Sequence, residues 1–185
     1  MPIKIILFFL SWLFIQNGQS QITKGNWMVG GNGVLEKSKT INLFEVKSTN
    51  IKLSPNIGYF FMDKFAGGIK TGLYFSEIKF NGGVSKSTQF SLGPILRYYF
   101  LNADNMVNFF AESTYQYSHL YGNSGSSNNS NTWAFSLGPV IYFNSSVGLE
   151  FTINYESFRY KNDNKSSNSF FLGIGFQIHL ERYKN

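Results

Sequence analysis

The residues best suited to moving a proton near neutral pH are His119 and His179, the only histidines in a chain of 185 residues. His119 directly follows Ser118 and comes shortly after Glu112, so one stretch holds a nucleophile, a base and an acid. Such a trio does acyl-transfer chemistry only when the three side chains converge. The stretch alternates, which puts Ser118 and Glu112 on one face and His119 on the other. His179 belongs to a different strand, near the opposite end. No catalytic residue is assigned. The absence of cysteine removes a thiol nucleophile, a zinc-finger spacing, disulfides and a lipid-modified N-terminal Cys. Phosphate loops, dinucleotide fingerprints and paired-carboxylate motifs do not occur, and neither a cofactor nor a metal is expected.

Four other charged residues share a pattern. Lys70, Arg97, Glu112 and Glu150 each sit on the non-apolar parity of an otherwise apolar segment, at a similar distance from a short turn. Two cations and two carboxylates at one depth can neutralise each other in a closed space, and they are expected to form one polar network.

The enclosing elements are read from alternation. Over 133–143 the odd positions are Trp, Phe, Leu, Pro, Ile and Phe, while Ala134, Ser136 and Gly138 lie between them. The same period of two runs through 27–35, 51–61, 65–75, 90–100, 107–117, 147–155 and 170–180, which predicts eight strands. Short turns at 62–64, 101–105 and 144–146 alternate with longer Ser/Asn/Gly/Lys-rich loops at 36–50, 81–88, 122–132 and 161–168. That arrangement predicts an all-β, antiparallel up-and-down meander in a single domain.

Which face is inside decides the function. The first twenty residues carry Lys4, an apolar run from 5 to 15, then Gly18 and Ser20 before Gln21, the layout of a secretory signal peptide. The run is too short for a spanning helix, which needs about 20 residues. Residues 1–20 are therefore expected to be removed and 21–185 to form the domain. Strands of this length, tilted by about 40–45°, match the ~25 Å apolar band of an outer membrane. Aromatic residues gather at strand ends, with Trp27, Tyr59, Tyr98, Phe100 and Phe143 near the short turns and Phe80, Tyr117, Tyr121, Trp133 and Tyr155 near the long loops. They predict two interfacial girdles. The expected fold is an eight-stranded antiparallel transmembrane β-barrel, apolar outside and filled with side chains inside. The alternative from the same alternation is a secreted soluble β-barrel that binds a small apolar ligand. Net charge is +6 with scattered lysines and no recognition motif, so no nucleic acid is expected.

The phrase FSLGP occurs at 90–94 and again at 135–139, with a looser copy, LSPNIGYFF, at 53–61. Each puts a proline on the apolar parity of an even-numbered strand, where it marks a bulge, a missing ladder bond or a tolerated residue copied by duplication. The run SPNIGYFFMDKFAGGIKTGLYF (54–75), with FSLGPILRYYF and FFLGIGFQIHL, resembles the small outer-membrane barrels of Gram-negative bacteria, the OmpX/OmpA-like barrel domain. The resemblance covers essentially the whole chain after residue 20. It implies an eight-stranded monomeric barrel in the cell outer membrane, contacts with outer-membrane lipids, and insertion by the barrel-assembly machinery. Such barrels commonly finish on an aromatic residue, whereas here ERYKN follows Leu180. Lysines 37, 39, 47, 86, 161 and 165 lie in the predicted loops, where lipopolysaccharide phosphates are available partners. Some barrels of this kind are lipid A-modifying enzymes using His, Ser and an acid. The parity of His119 departs from that arrangement, and the reading here is a structural or surface-interaction protein.

Overall fold

A computed structural model describes residues 22–41, 45–122, 128–160 and 166–181. The expected signal segment, Lys161 and Lys165, and the side chain of Tyr121 lie outside the described residues. Eight strands follow in order: β1 (Trp27–Ile41), β2 (Glu45–Met62), β3 (Phe65–Phe80), β4 (Gly83–Tyr99), β5 (Val107–Gly122), β6 (Asn128–Tyr142), β7 (Val147–Tyr160) and β8 (Ser166–Leu180). Each pairs antiparallel with the next and β8 returns to β1, which closes the barrel. The eight-stranded up-and-down expectation holds.

The faces follow the parity read in the sequence. Ile57, Ile69, Leu96, Phe135, Leu137 and Ile153 are exposed on the outer wall, while Lys70, Arg97, Glu112, Gln116, Glu150 and Gln177 are buried inside. A water-soluble protein would bury the first set and expose the second, so the outer surface is built for hydrocarbon.

The strands are longer than predicted, and the long loops are the part that changes. Residues 36–41 and 45–50 are laddered, from Glu36 opposite Asn50 to Ile41 opposite Glu45. Only 81–82 separates β3 from β4, with Gly82 at φ 96° supplying the left-handed turn residue. β6 and β8 likewise begin inside segments predicted as loops, at Asn128 and Ser166. The cause is that backbone pairing continues past the lipid: Ser, Thr and Lys side chains leave no apolar stripe, yet ladder hydrogen bonds form all the same. At a rise of ~3.3 Å, the 18 residues of β2 run about 60 Å, some 45 Å tall at a 40° tilt, against a band of ~25 Å. The excess projects as paired ribbons beyond one rim. Phe80, expected in a girdle, stands at the end of the β3–β4 ribbon instead.

The prolines open the ladder without shifting it. Between β2 and β3 pairing runs to Leu53 opposite Leu73 and resumes at Asn56 opposite Lys70, skipping Pro55. Between β4 and β5 it skips 93–94, and between β6 and β7 it skips 138–139, each time resuming in the same register. Of the readings offered, the missing ladder bond is the one observed. The glycine in FSLGP has a companion role. A Cβ on Gly93 would collide with the Tyr115 carbonyl oxygen, and one on Gly138 with that of Phe151, the residues facing the two prolines. The repeated phrase is thus one device used twice.

At the short-turn end the chain closes its own lumen. Residues 22–26 cross beneath the barrel, held where the Lys64 amide donates to the Ile22 carbonyl (2.8 Å) and the Lys24 amide to Asp63 Oδ1 (2.8 Å). Ile22 is buried with Met28, Phe60, Ile95, Tyr99 and Phe110 in an apolar cluster inside this half.

Candidate functional site

The structure brings Lys70, Arg97, Glu112 and Glu150 together. They come from β3, β4, β5 and β7 and are all buried. Arg97 and Glu112 face each other across the β4–β5 ladder. Arg97 Nε donates to Glu112 Oε2 at 2.8 Å, with a second, shorter bond from Nη2 to the same oxygen. On its other side Nη1 donates to Glu150 Oε1 at 2.5 Å and Nη2 to Glu150 Oε2 at 3.3 Å. Lys70 Nζ reaches Glu112 Oε1 at 2.5 Å. The four charges sum to zero, which is the condition for keeping them in a narrow low-dielectric space.

Sequence reading missed the neighbours that complete this layer. Gln177 on β8 accepts from Arg97 Nη1 (3.2 Å) and donates to Asn56 Oδ1 on β2 (3.2 Å), extending the network to six strands. Below it lies an aromatic floor. The Arg97 guanidinium sits 4.3 Å from the centre of the Phe110 ring and donates to Tyr99 Oη at 3.2 Å. Tyr99 Oη in turn stands 3.3 Å from His179 Nε2, and His179 packs edge-on to Phe60 at 5.5 Å. Since Tyr99 Oη accepts from Arg97, its own proton is available to His179. The signal for this floor was present: Phe60, Tyr99 and Phe110 carry the inward parity of their strands.

His119 lies far from His179, with Nδ1 2.6 Å from Asn129 Oδ1 across the β5–β6 ladder. Ser118 is buried in the lumen, so the Ser, His and Glu of β5 do not converge.

Above the charged layer, toward the ribbons, Lys52 on β2 is paired with Glu156 on β7 across the lumen. Over this pair the lumen widens into a vestibule of about 330 Å³ that opens at the ribbon end. Among the described residues, the lumen is therefore closed in three successive layers, of charges, aromatics and the N-terminal strap, and widens above Lys52. At the rims of the outer wall, Trp27 packs on Tyr59 at 5.2 Å and Tyr98 on Phe100 at 5.3 Å near the turns, while Tyr115 packs on Trp133 at 4.6 Å and Tyr155 on Phe170 at 4.9 Å on the other side. In these pairs Trp27, Tyr59, Tyr98, Phe100, Trp133 and Tyr155 stand in the two girdles as predicted, and Tyr115 and Phe170 join them.

No protein-family model and no curated protein sequence matches the chain. Solved structures share its fold, among them two with a TM-score above 0.5. The crystal structure of Neisserial surface protein A is 14% identical and superposes over 84% of this chain and 97% of its own, with a TM-score of 0.54. That of the outer membrane protein OprG from Pseudomonas aeruginosa is 15% identical, over 89% and 100%, with a TM-score of 0.57. At such identity the likeness is one of fold.

Proposed function

We propose that this chain is an integral protein of the Gram-negative outer membrane whose lumen is sealed and whose dealings with its surroundings take place at the ribbon end, on the cell's outer side. The observation that carries the reading is the inverted pattern: a belt of exposed apolar side chains around a core of paired charges. The fold shared with an outer-membrane protein supports it. An eight-stranded wall leaves an interior that side chains fill, so bulk solute passage is not its work.

The ribbons carry two Lys–Glu–Lys sets. Glu45 lies 3.2 Å from Lys39 and 2.5 Å from Lys47, and Glu77 lies 2.8 Å from Lys79 and 3.3 Å from Lys86. Each set keeps one net positive charge just outside the apolar belt, where lipopolysaccharide phosphates lie. The role is structural and surface-interacting and not enzymatic, and the barrel works as a monomer inserted by the assembly machinery. A secreted soluble barrel would have to leave the whole apolar belt in water, which soluble monomers avoid.

Because the chain has no cysteine, single substitutions report topology on a clean background. Ser38→Cys and Ser85→Cys on the ribbons should react with a membrane-impermeant maleimide on intact cells, and Asp63→Cys and Ser145→Cys at the short turns should react only after lysis. Labelling of the short turns on intact cells would reverse the orientation, and recovery of the chain as a detergent-free soluble monomer would overturn the membrane reading.

A further inference from the structure

We infer that the vestibule is a binding site for an uncharged saccharide unit. The inference rests on the outer-membrane reading for its access from outside, and on the following chemistry for its ligand. A cavity of about 330 Å³ lies at the lower end of the ~300–1,000 Å³ typical of small-molecule sites. Its wall is unusually rich in groups that both donate and accept: Asn50, Gln89, Ser91, Gln116, Ser118 and Thr132. Tyr74, Phe158 and Phe171 belong to the same lining and put aromatic rings beside them. Mixed amide and hydroxyl groups beside aromatic rings match a molecule with hydroxyls on its edge and C–H groups on its faces.

Charge argues for neutrality. The ammonium of Lys52 is held by Glu156 and lies 5.1 Å from the Phe171 ring, so it is already committed, and Glu36 sits exposed at the rim. Among the described residues of the wall Lys52 is the one cation, and pulling it away toward an anion would strand Glu156. The polar groups are also held in place. Gln116 Nε2 donates to the Lys70 carbonyl at 3.2 Å, and Asn50 Oδ1 accepts from Ser76 Oγ at 2.8 Å. One group adds a second observation: Ser118 is 1% exposed, belongs to the cavity lining, and its buried hydroxyl has no hydrogen-bond partner among the described residues. A buried hydroxyl of this kind calls for a partner from outside the chain. Beneath, only about 10 Å³ continues below the pair of Lys52 with Glu156, so a sugar binds here and does not pass through.

The saccharide has two possible sources, free in solution or borne on a lipid. The β1–β8 ladder ends at Gly33 and Ile174, and the vestibule wall just above is made by Val34, Glu36, Phe170 and Phe171, so a lipid-borne sugar has a side entrance.

The test uses the full chain refolded in a sugar-free zwitterionic detergent, with heat-modifiable migration as the check of folding and insertion into vesicles as the check of the membrane reading. Saturation-transfer NMR is run with glucose, N-acetylglucosamine and maltose, with dodecyl maltoside as the lipid-borne arm, and with choline and acetate as charged controls. The expected result is binding of at least one neutral sugar with Kd of about 1 mM or tighter. Ser118→Val should weaken it at least tenfold, while Ser113→Val, outward on the same strand, should leave it unchanged. Gln89→Leu, at a half-buried wall position, repeats the test should Ser118→Val fail to fold. Preference for dodecyl maltoside over maltose assigns the lipid-borne source, and equal binding assigns the free one. A folded, inserted barrel that binds no sugar, binds choline or acetate in preference, or binds equally well in both wall variants overturns the inference alone. A chain that does not insert overturns the membrane reading with it.

Discussion

Arg97 is the residue whose removal tests the lumen most directly. It bonds both carboxylates of the charged layer as well as Tyr99 and Gln177, whereas Glu112 keeps Lys70 as a second partner. Replacing Arg97 with Met leaves Glu112 and Glu150 against a single cation, an excess of one buried negative charge. Breaking a buried pair in this way costs about 3–5 kcal/mol. Glu150→Gln leaves the opposite imbalance and should cost on the order of 3 kcal/mol. The double variant restores neutrality, with Lys70 still facing Glu112, and should cost less than the sum of the two by about 1–3 kcal/mol. Urea unfolding of the barrel in lipid vesicles measures this. Trp27 and Trp133, outward and 46% and 52% exposed, lose their lipid contact on unfolding and report it by fluorescence. Additivity within about 0.5 kcal/mol would refute the reasoning, because it would mean that these charges do not depend on one another for their place in the lumen.

Other outcomes follow from the same geometry. Gly93→Ala should destabilise by about 1–3 kcal/mol, since the added Cβ meets backbone that cannot turn away, and Pro94→Val, which restores a donor opposite Tyr115, should slow amide exchange in that gap; equal stability of Gly93→Ala and the parent would count against the device. Planar-bilayer recordings should show no conductance for the parent, for Arg97→Ala or for Tyr99→Ala, and ion flow only when the charged layer, the aromatic floor and the strap are breached together; a conducting single variant would show that the layers do not act in series. On the ribbons, hydrogen bonds from Lys47 and then Lys39 hold the Glu45 carboxyl below the ordinary glutamate range, and Lys79 and then Lys86 do the same for Glu77. A carboxyl lowered by folding contributes stability above its unfolded pKa of ~4.3 and loses it as the pH falls through the lower folded value. Amide-exchange protection of the ribbon ends should accordingly persist at pH 5 and decline below about pH 4, and a decline already complete by pH 5 would contradict the pairing.

What the sequence disclosed was whatever lipid imposes. Where a strand crosses hydrocarbon, every second residue must be apolar, and Ile51 to Phe61 or Phe170 to Leu180 can be read on sight. The inward parity of Lys70, Arg97, Glu112 and Glu150 came with it, since a period of two leaves no choice of face. Beyond the membrane that constraint ends, and Lys37, Ser38 and Lys39 read as loop although their backbones are paired with 47–49. Inside the lumen the constraint is different again. Phe60, Tyr99 and Phe110 face inward as aromatics and blurred the alternation of their strands, although together they form the floor. The vestibule was hidden for a third reason: it depends on how deep Lys52 and Glu156 sit relative to each other, and that depends on the stagger of eight strands.

The seam where the wall meets itself has a consequence of its own. β1 and β8 share seven residue pairs, from Trp27 opposite Leu180 to Gly33 opposite Ile174, while β1 and β2 share fifteen. Above Gly33, the N–H and C=O groups along one side of β1 have no β8 partner in that ladder, and those of β8 above Ile174 have no β1 partner. A closed barrel ordinarily has no sheet edge to defend, but at this seam two edges face each other, at the rim where other proteins and chains arrive. On β1 the edge carries Glu36, Lys37 and Lys39, charges that discourage an incoming strand from docking; on β8 it carries Ser166, Ser167, Asn168 and Ser169, which do not. Any extended segment that adds to this barrel will therefore find β8 the more permissive side, and the polarity of that choice is already written in which edge holds the charges.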